Sequence, residues 1–313
     1  MLSAAIDVGS NSVHLLVARL SGQLLQPLRD QSEQLGLGDV VDRHGSIPAA
    51  KRHEVVALLR RYVEDARADG AARITLLGTE PLRRAGNREL VAVETRRATD
   101  VALQVVNEWQ EGALTFLGVT GGALPADSLL VVDIGGGSTE IVHYVPGERL
   151  SVAELATGAA RLANGMVVND PPTDSDLDRL RGAAFELART LPRLLPAARP
   201  ARAVFVGGTA TKLVRLAPLR AGGLAFAYEV LTSLPAADVA ERHGLSLRRA
   251  SQMAAGAAIV EALLAHYALD EGSVSDASLR EGVIRAAAAL GDDFLGRLDE
   301  LTMARYASAD ISG

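Results

Sequence analysis

The chain has 313 residues, 48% of them apolar, which suffices for one or two domains with a sizeable buried core. It has no cysteine, and that excludes disulfides, iron–sulfur clusters, zinc thiolate sites and a cysteine nucleophile. A formal net charge of −6 argues against a general nucleic-acid binder, so an anionic partner would need a local basic patch.

In chain order, the first feature is a strand–turn–strand pattern over residues 4–17, with Asp7, Gly9, Ser10, Asn11 and Ser12 at its turn. The segment before it has no basic region and runs straight into Asp7, so it does not read as a signal peptide. A helix is expected from Ser46 and Pro48 to about residue 68, with the serine as cap and the proline in the first turn. A strand at 74–77 leads into a loop at 78–81. A helix capped by Asn87 runs to about 98, and a strand at 101–106 is followed by a helix at 108–119. Gly121, Gly122 and Pro125 mark a connector.

A second strand–turn–strand pattern spans 130–142 and carries Asp133, Gly135, Gly136, Gly137, Ser138, Thr139 and Glu140. A strand at 149–155, a loop and helix at 157–166, a stop at Pro171 and Pro172 and a long helix at 174–195 follow. A short buried strand at 203–206 ends at Gly207, Gly208 and Thr209 before a helix. Helices at 236–243, 247–266 and 277–290 close the chain, and the tail has room for one more. The apolar run at 253–269 carries Glu261 and His266 and reads as a buried helix, not a membrane span. The expectation is a cytoplasmic protein with no membrane partner. Strands alternating with helices predict an α/β architecture with mixed sheets.

The two strand–turn–strand segments are copies of one pattern. Asp7 matches Asp133, Gly9 matches Gly135 and Ser12 matches Ser138. The period is too long for a solenoid, so it predicts two similar domains, each opening with a β-hairpin. In each, an aspartate ends the first strand beside a glycine turn rich in backbone amides. A carboxylate attracts a cation and the amides receive anionic oxygens, which suits a metal–phosphate complex.

These segments resemble the two phosphate loops of the exopolyphosphatase and guanosine pentaphosphate phosphatase family. Supporting segments run the length of the chain: Gly78-Thr79 through Leu82-Arg83, Glu111 through Val119, Gly158 to Arg161, Asp170 to Thr173, Gly207 to Thr211, and Val274 through Gly282. The resemblance implies the fold shared with actin, sugar kinases and large heat-shock chaperones. That fold has two ribonuclease-H-like domains about a cleft, here 1–125 and 126–313, with the last helix packing back on the first. It implies a short form, magnesium as the cofactor, and inorganic polyphosphate or guanosine pentaphosphate as the substrate. By analogy it allows a homodimer.

Within that resemblance each part of a phosphoanhydride hydrolase has a candidate. Asp133 and Glu140 are expected to hold magnesium, which prefers oxygen ligands and keeps several waters. Asp7 either serves the same cation from the other domain or orders its own turn. Glu111 occupies the family's catalytic glutamate position and would orient and deprotonate the attacking water. Backbone amides of Gly9 to Ser12, Gly135 to Thr139 and Gly207 to Thr209 would grip phosphates, with hydroxyls from Ser12, Ser138 and Thr139. Arg83 is the expected positive clamp and Arg161 a weaker candidate. His14 is expected to be packed. Arginine pairs such as Arg60–Arg61 and Arg248–Arg249 are expected on solvated helix faces.

One departure stands out. Relatives carry Ser-Gly, one residue, then Glu-Glu before the helix; here the segment is Asn107-Glu108-Trp109-Gln110-Glu111. A tryptophan is bulky for a phosphate loop, so the expectation is an altered grip, and a binding-only sensor stands as a competing class. A third class is an ATP-using kinase or filament protein on the shared fold, since Gly207-Gly208-Thr209 resembles its adenosine loop.

Overall fold

The structure is a computed structural model that describes residues 1–191, 195 and 198–303. The first half contains β1 (Leu2–Val8), β2 (Ser12–Ser21), β3 (Leu24–Gln34), α1 (Leu37–His44), α2 (Ala49–Ala68), β4 (Arg73–Gly78), α3 (Glu80–Arg84), α4 (Arg88–Thr99), β5 (Leu103–Val105) and α5 (Glu108–Thr120). The second half begins with β6 (Leu129–Ile134), β7 (Thr139–Tyr144), β8 (Ser151–Leu155), α6 (Ala159–Met166), α7 (Asp174–Ala188), β9 (Arg202–Val206) and α8 (Gly207–Leu213). It ends with β10 (Leu219–Arg220), α9 (Ala221–Ser233), α10 (Ala236–His243), α11 (Leu247–Ala250), α12 (Met253–His266), β11 (Glu271–Val274), α13 (Leu279–Leu290) and α14 (Asp299–Thr302).

The first sheet has the strand order β3-β2-β1-β4-β5 and the second β10-β11-β9-β6-β7-β8. In both, three antiparallel strands are followed by a parallel crossover strand, β4 beside β1 and β9 beside β6. The internal repeat of the sequence is therefore a repeat of topology, and the expected mixed α/β architecture is present.

Side-chain alternation sorts the strands between three cores. In β1, Ala4, Ile6 and Val8 pack with α2, whereas Ala5 turns to the opposite face. In β6, Leu130, Val132 and Ile134 face the α12 side, whereas Leu129 and Val131 turn the other way. The faces that Ala5 and Val131 share look at one another across the molecule, and α5 and α13 fill the space between them. These two helices cross backbone to backbone. A Cβ on Gly118 would collide with the Ser278 carbonyl, and one on Gly282 with the Leu114 carbonyl. Only glycine permits that approach.

Several elements differ from the sequence expectations. The helix expected at 247–266 is two, α11 and α12, broken at Ser251 and Gln252. The helix expected to reach 195 stops at Ala188, and residues 192–194 of that expectation lie outside the described residues. The loop expected at 78–81 tightens into α3, where Pro81 presets the backbone of the first turn. Asn87 does precede α4, but its side chain bonds the Ile47 N–H and carbonyl instead of capping. The tail yields the one-turn α14, and 304–313 lie outside the described residues. Among the described residues no helix is long and apolar enough to cross a membrane.

Candidate active site

The alternation that sorts the cores also aims the functional side chains. Asp7 has the parity of Ala5, and Asp133 that of Val131, so both aspartates emerge on the faces that meet between the halves. On the partner strands, His14 shares parity with Leu16, and Glu140 with Val142. Asp7 stands opposite His14 in the ladder, and Asp133 opposite Glu140.

The two turns are closed alike. The Gly9 N–H donates to the Ser12 carbonyl at 3.0 Å, and the Gly135 N–H to the Ser138 carbonyl at 3.0 Å. Each turn serine then contacts the side chain two residues on. Ser12 Oγ lies 2.7 Å from His14 Nε2, and Ser138 Oγ donates to Glu140 Oε1 at 2.5 Å. The turns interlock, because a Cβ on Gly136 would meet the Asn11 side chain and one on Gly137 the Ser10 hydroxyl.

Glu111 arrives on the first turn of α5. Asn107 and Gln110 form a reciprocal capping box there, while Trp109 donates its indole N–H to the Leu150 carbonyl at 3.2 Å beneath the Arg149 guanidinium. The altered 107–110 segment is thus scaffold. It fixes α5, and Trp109 is not on the cavity wall.

A cavity of about 720 Å³ lies between the halves. Its wall includes Asp7, Gly9, Ser10, Asn11, Ser12, Glu111, Asp133, Gly135, Gly136, Ser138, Glu140, Gly207 and Gly208, so most of the expected site residues converge. Gly137, Thr139 and Thr209 are not on the wall. Thr139 turns its hydroxyl to the Thr157 carbonyl at 2.9 Å, and Thr209 accepts from Arg249 at 3.5 Å.

Arg83, expected as the positive clamp, is placed differently. It is not on the cavity wall; its guanidinium binds Glu111, Glu154 and the Val106 carbonyl. It grips the candidate base from behind. Arg161 ties Glu80 and Asp42 of the first half to the Gly137 carbonyl of the second. The solvated reading holds for Arg60 and Arg61, which pair with exposed Glu64 and Glu33. It fails for the second pair: Arg248 bonds Asp39 and Asn11, and Arg249 lines the cavity.

Sequence reasoning gave no functional place to His14, Lys212, Arg249 and Arg280, all on the wall. Arg280 lies in a segment that carries the family resemblance, and Lys212 is one of only two lysines in the chain. Those were the available signals.

Electrostatically the cavity has two poles. At one, burial pushes Asp133 up to about 6, Asp7 to about 7 and Glu111 to about 8, and raises Glu140 well above its ordinary range. Arg83 opposes the rise at Glu111, while the neighbouring carboxylates add to it. At the other pole burial holds His14 down to about 3, helped by Arg280, Arg249 and Lys212, so the imidazole is neutral. The acidic pole suits a divalent cation: Asp7 Oδ1 is buried without a hydrogen-bond partner, and Asp133 and Glu140 stand side by side. Among the described residues no group of three or more His, Cys, Asp or Glu side chains is placed to hold a metal ion by itself.

The paired sheet topology and the crossing of α5 and α13 between them define the two-domain actin-like α/β fold. Residues 16–289 match the Ppx/GppA phosphatase family, and the chain belongs to it. It is 32% identical over 300 residues to Exopolyphosphatase 1 of Mycobacterium leprae, covering 91% of this chain and 88% of that protein. The crystal structure of the Aquifex aeolicus Ppx/GppA family member superposes with a TM-score of 0.80 at 26% identity, over 93% of this chain and 99% of that one. An exopolyphosphatase structure from Cytophaga hutchinsonii shares the fold, with a TM-score of 0.82 at 20% identity over 92% and 98%.

Proposed function

We propose that the protein is an exopolyphosphatase, hydrolysing the terminal phosphoanhydride of inorganic polyphosphate and releasing orthophosphate. The carrying observation is the two-pole cavity: the carboxylates of Asp7, Glu111, Asp133 and Glu140 share a wall with cationic side chains around a polar gap. A polyanion is repelled by the first pole unless its end is charge-neutralised, and is attracted by the second.

In this reading Glu111 orients a water and takes its proton. Its carboxyl, raised to about 8, matches a base working near neutral pH. Arg83 fixes Glu111 from behind with Glu154 as its second anchor. Asp133 and Glu140 would hold magnesium, with Asp7 facing them from the other half. When bound, magnesium supplies charge neutralisation and polarises the phosphoryl oxygens. Backbone amides of the two glycine turns and of 207–208, with the Ser12 and Ser138 hydroxyls, hold the phosphates. The functional halves divide at the connector near residue 125, and α13 packs back on β1 and β2 of the first.

Polyphosphate is preferred over guanosine pentaphosphate because the wall carries no Phe, Tyr or Trp ring for a purine, and its imidazole, His14, is engaged with the Ser12 hydroxyl. Its aliphatic side chains are Ile134, Leu245 and Leu279. The test is phosphate release with magnesium from long-chain polyphosphate, tripolyphosphate and guanosine pentaphosphate. Fastest turnover on long chains is expected. Fastest turnover on the nucleotide would reverse the preference, and no release from any of them would end the hydrolase reading.

A further inference from the structure

The three glycine carbonyls of the second turn are all bonded by α6. The Gly135 carbonyl accepts from the Ala159 N–H at 3.0 Å, and the Gly136 carbonyl from the N–H groups of Ala160 and Arg161 at 3.0 and 3.1 Å. The Gly137 carbonyl accepts from the Arg161 guanidinium. These peptides are trans, so each N–H points opposite to the carbonyl before it. The amides of Gly136, Gly137 and Ser138 are thereby turned away from α6, and Gly136 and Ser138 line the cavity. Helix backbone holds the first two carbonyls. The third depends on one side chain.

Arg161 is itself held from the other half. Glu80 of α3 is 2% exposed, and both its carboxylate oxygens are engaged. Its Oε1 accepts from Arg84 at 2.6 Å and from Arg161 at 2.9 Å, and its Oε2 accepts from the Ser10 hydroxyl at 2.6 Å. Burial works to raise this carboxyl, but the bonds from Ser10, Arg84 and Arg161 outweigh it and hold Glu80 below its ordinary range. Glu80 shares the wall with Asp7, Glu111, Asp133 and Glu140, whose carboxyls are raised. Its charge is already met by two guanidinium groups, so it is no candidate to hold a cation. Gly137 rests on this junction: a Cβ there would come within 2.7 Å of both Glu80 Oε2 and Ser10 Oγ. The two glycine turns, one at Ser10 and the other at Gly137, meet on one buried carboxylate.

We propose that Glu80 and Arg161 are positioning residues for the phosphate grip: Glu80 fixes the Arg161 guanidinium, which aims the Ser138 amide through the Gly137 carbonyl and sets the second turn in register with the first. This rests on the reading in which the two turns hold phosphate. Neither side chain is offered to the substrate. Arg161 is not on the cavity wall, and the Glu80 oxygens are taken. Ser10 donates its hydroxyl proton to Glu80, so it serves a phosphate through its backbone amide. Losing the pair loosens one amide and the spacing of the turns while Glu111, Asp133 and Glu140 keep their own partners. The effect therefore falls on binding and not on the chemical step.

The experiment joins calorimetric titration of the Glu111→Gln protein with tripolyphosphate and magnesium to phosphate-release kinetics of the protein with Glu111 intact. Both are repeated with Glu80→Gln, Arg161→Gln, the two together, Arg161→Lys, and Arg84→Gln. Glu80→Gln and Arg161→Gln should each raise Kd and KM about tenfold, the scale of one charge-assisted bond, and change kcat less than about threefold. The double variant should match either single one, because both act through one contact. Arg161→Lys should not rescue, since an ammonium lacks the planar fork that reaches Glu80 and Gly137 together. Arg84→Gln removes a bond to Glu80 within the first half and should change Kd less than about threefold. A rise in Kd with Arg161→Gln but not with Glu80→Gln would put Arg161 on the phosphate itself and overturn the proposal. So would multiplying effects in the double variant, an Arg84→Gln loss as deep as that of Glu80→Gln, a fall in kcat matching the rise in KM, or no binding of tripolyphosphate before Glu80 or Arg161 is changed. Binding without phosphate release ends the hydrolase reading alone, and the calorimetry still decides the positioning role.

Discussion

In the first hairpin the strand-end aspartate, Asp7, faces His14 across the ladder; in the second, Asp133 faces Glu140 at the equivalent place. Both turns close through the same glycine-to-serine bond, and both turn serines contact that facing side chain. The scaffold is duplicated and the charge is not. The second hairpin brings two carboxylates, which suits a cation. The first brings one carboxylate beside a neutral imidazole, with Arg280 acting on both. A duplicated fold has thus specialised by one residue on one strand.

The strongest way to break this comparison is to neutralise each aspartate in turn. Asp133→Asn is expected to lower kcat/KM for long-chain polyphosphate on the order of a thousandfold, the scale of losing a preorganised electrostatic contact. Asp7→Asn should lower it by about tenfold to a hundredfold. Equal losses in phosphate-release kinetics would show the hairpins to be equivalent. Glu111→Gln should lower kcat about a hundredfold with little change in KM, since it removes a general base while leaving the grip intact. Similar rates in both forms would take Glu111 out of that role.

The pH dependence of stability sharpens the same contrast. Asp133, Asp7 and Glu111 hold protons in the fold up to about 6, 7 and 8, whereas an unfolded carboxyl ionises near about 4. Between those values the folded state binds more protons than the unfolded one. Stability is then full at about pH 4 and falls as pH rises towards about 8. Without divalent cation, Tm should drop across that interval. Magnesium should reverse the drop, more at the alkaline end. Asp133→Asn should flatten the curve by removing one of these groups. A Tm indifferent to pH in the cation-free protein would contradict the charge assignment of the acidic pole.

Much of this was legible in the sequence, for reasons that residues make plain. Asp7, Gly9, Ser12 and their counterparts are local and repeated, so a turn betrays them. The His14 and Glu140 equivalence lies just past the matched residues and becomes visible only through strand register. Arg249 and Lys212 come from α11 and α8, and no local period announces that two separate helices share one wall. Strand β3 escaped because it is largely exposed and polar, with a proline and a register shift against β2 instead of clean alternation. Trp109 looks intrusive in one dimension because it is a bulky residue beside the candidate base. The helix turns it towards Leu150.

The smallest expected effect tests the first hairpin directly. His14 is buried and neutral, and its Nε2 sits against the Ser12 hydroxyl. If its work is to hold that hydroxyl, a glutamine amide can replace it. His14→Gln should then change kcat less than about threefold, within the few tenths to one kcal/mol of a modest hydrogen-bond change. His14→Glu copies the second hairpin and should behave differently. It adds a further carboxylate to the cavity, opposes the anion, and raises KM for long-chain polyphosphate about tenfold by like-charge repulsion. A loss with His14→Gln as deep as that of Asp133→Asn would mean that the imidazole itself meets the reacting phosphate, and the two hairpins would then be partners in the chemistry instead of one bearing the cation and the other the grip.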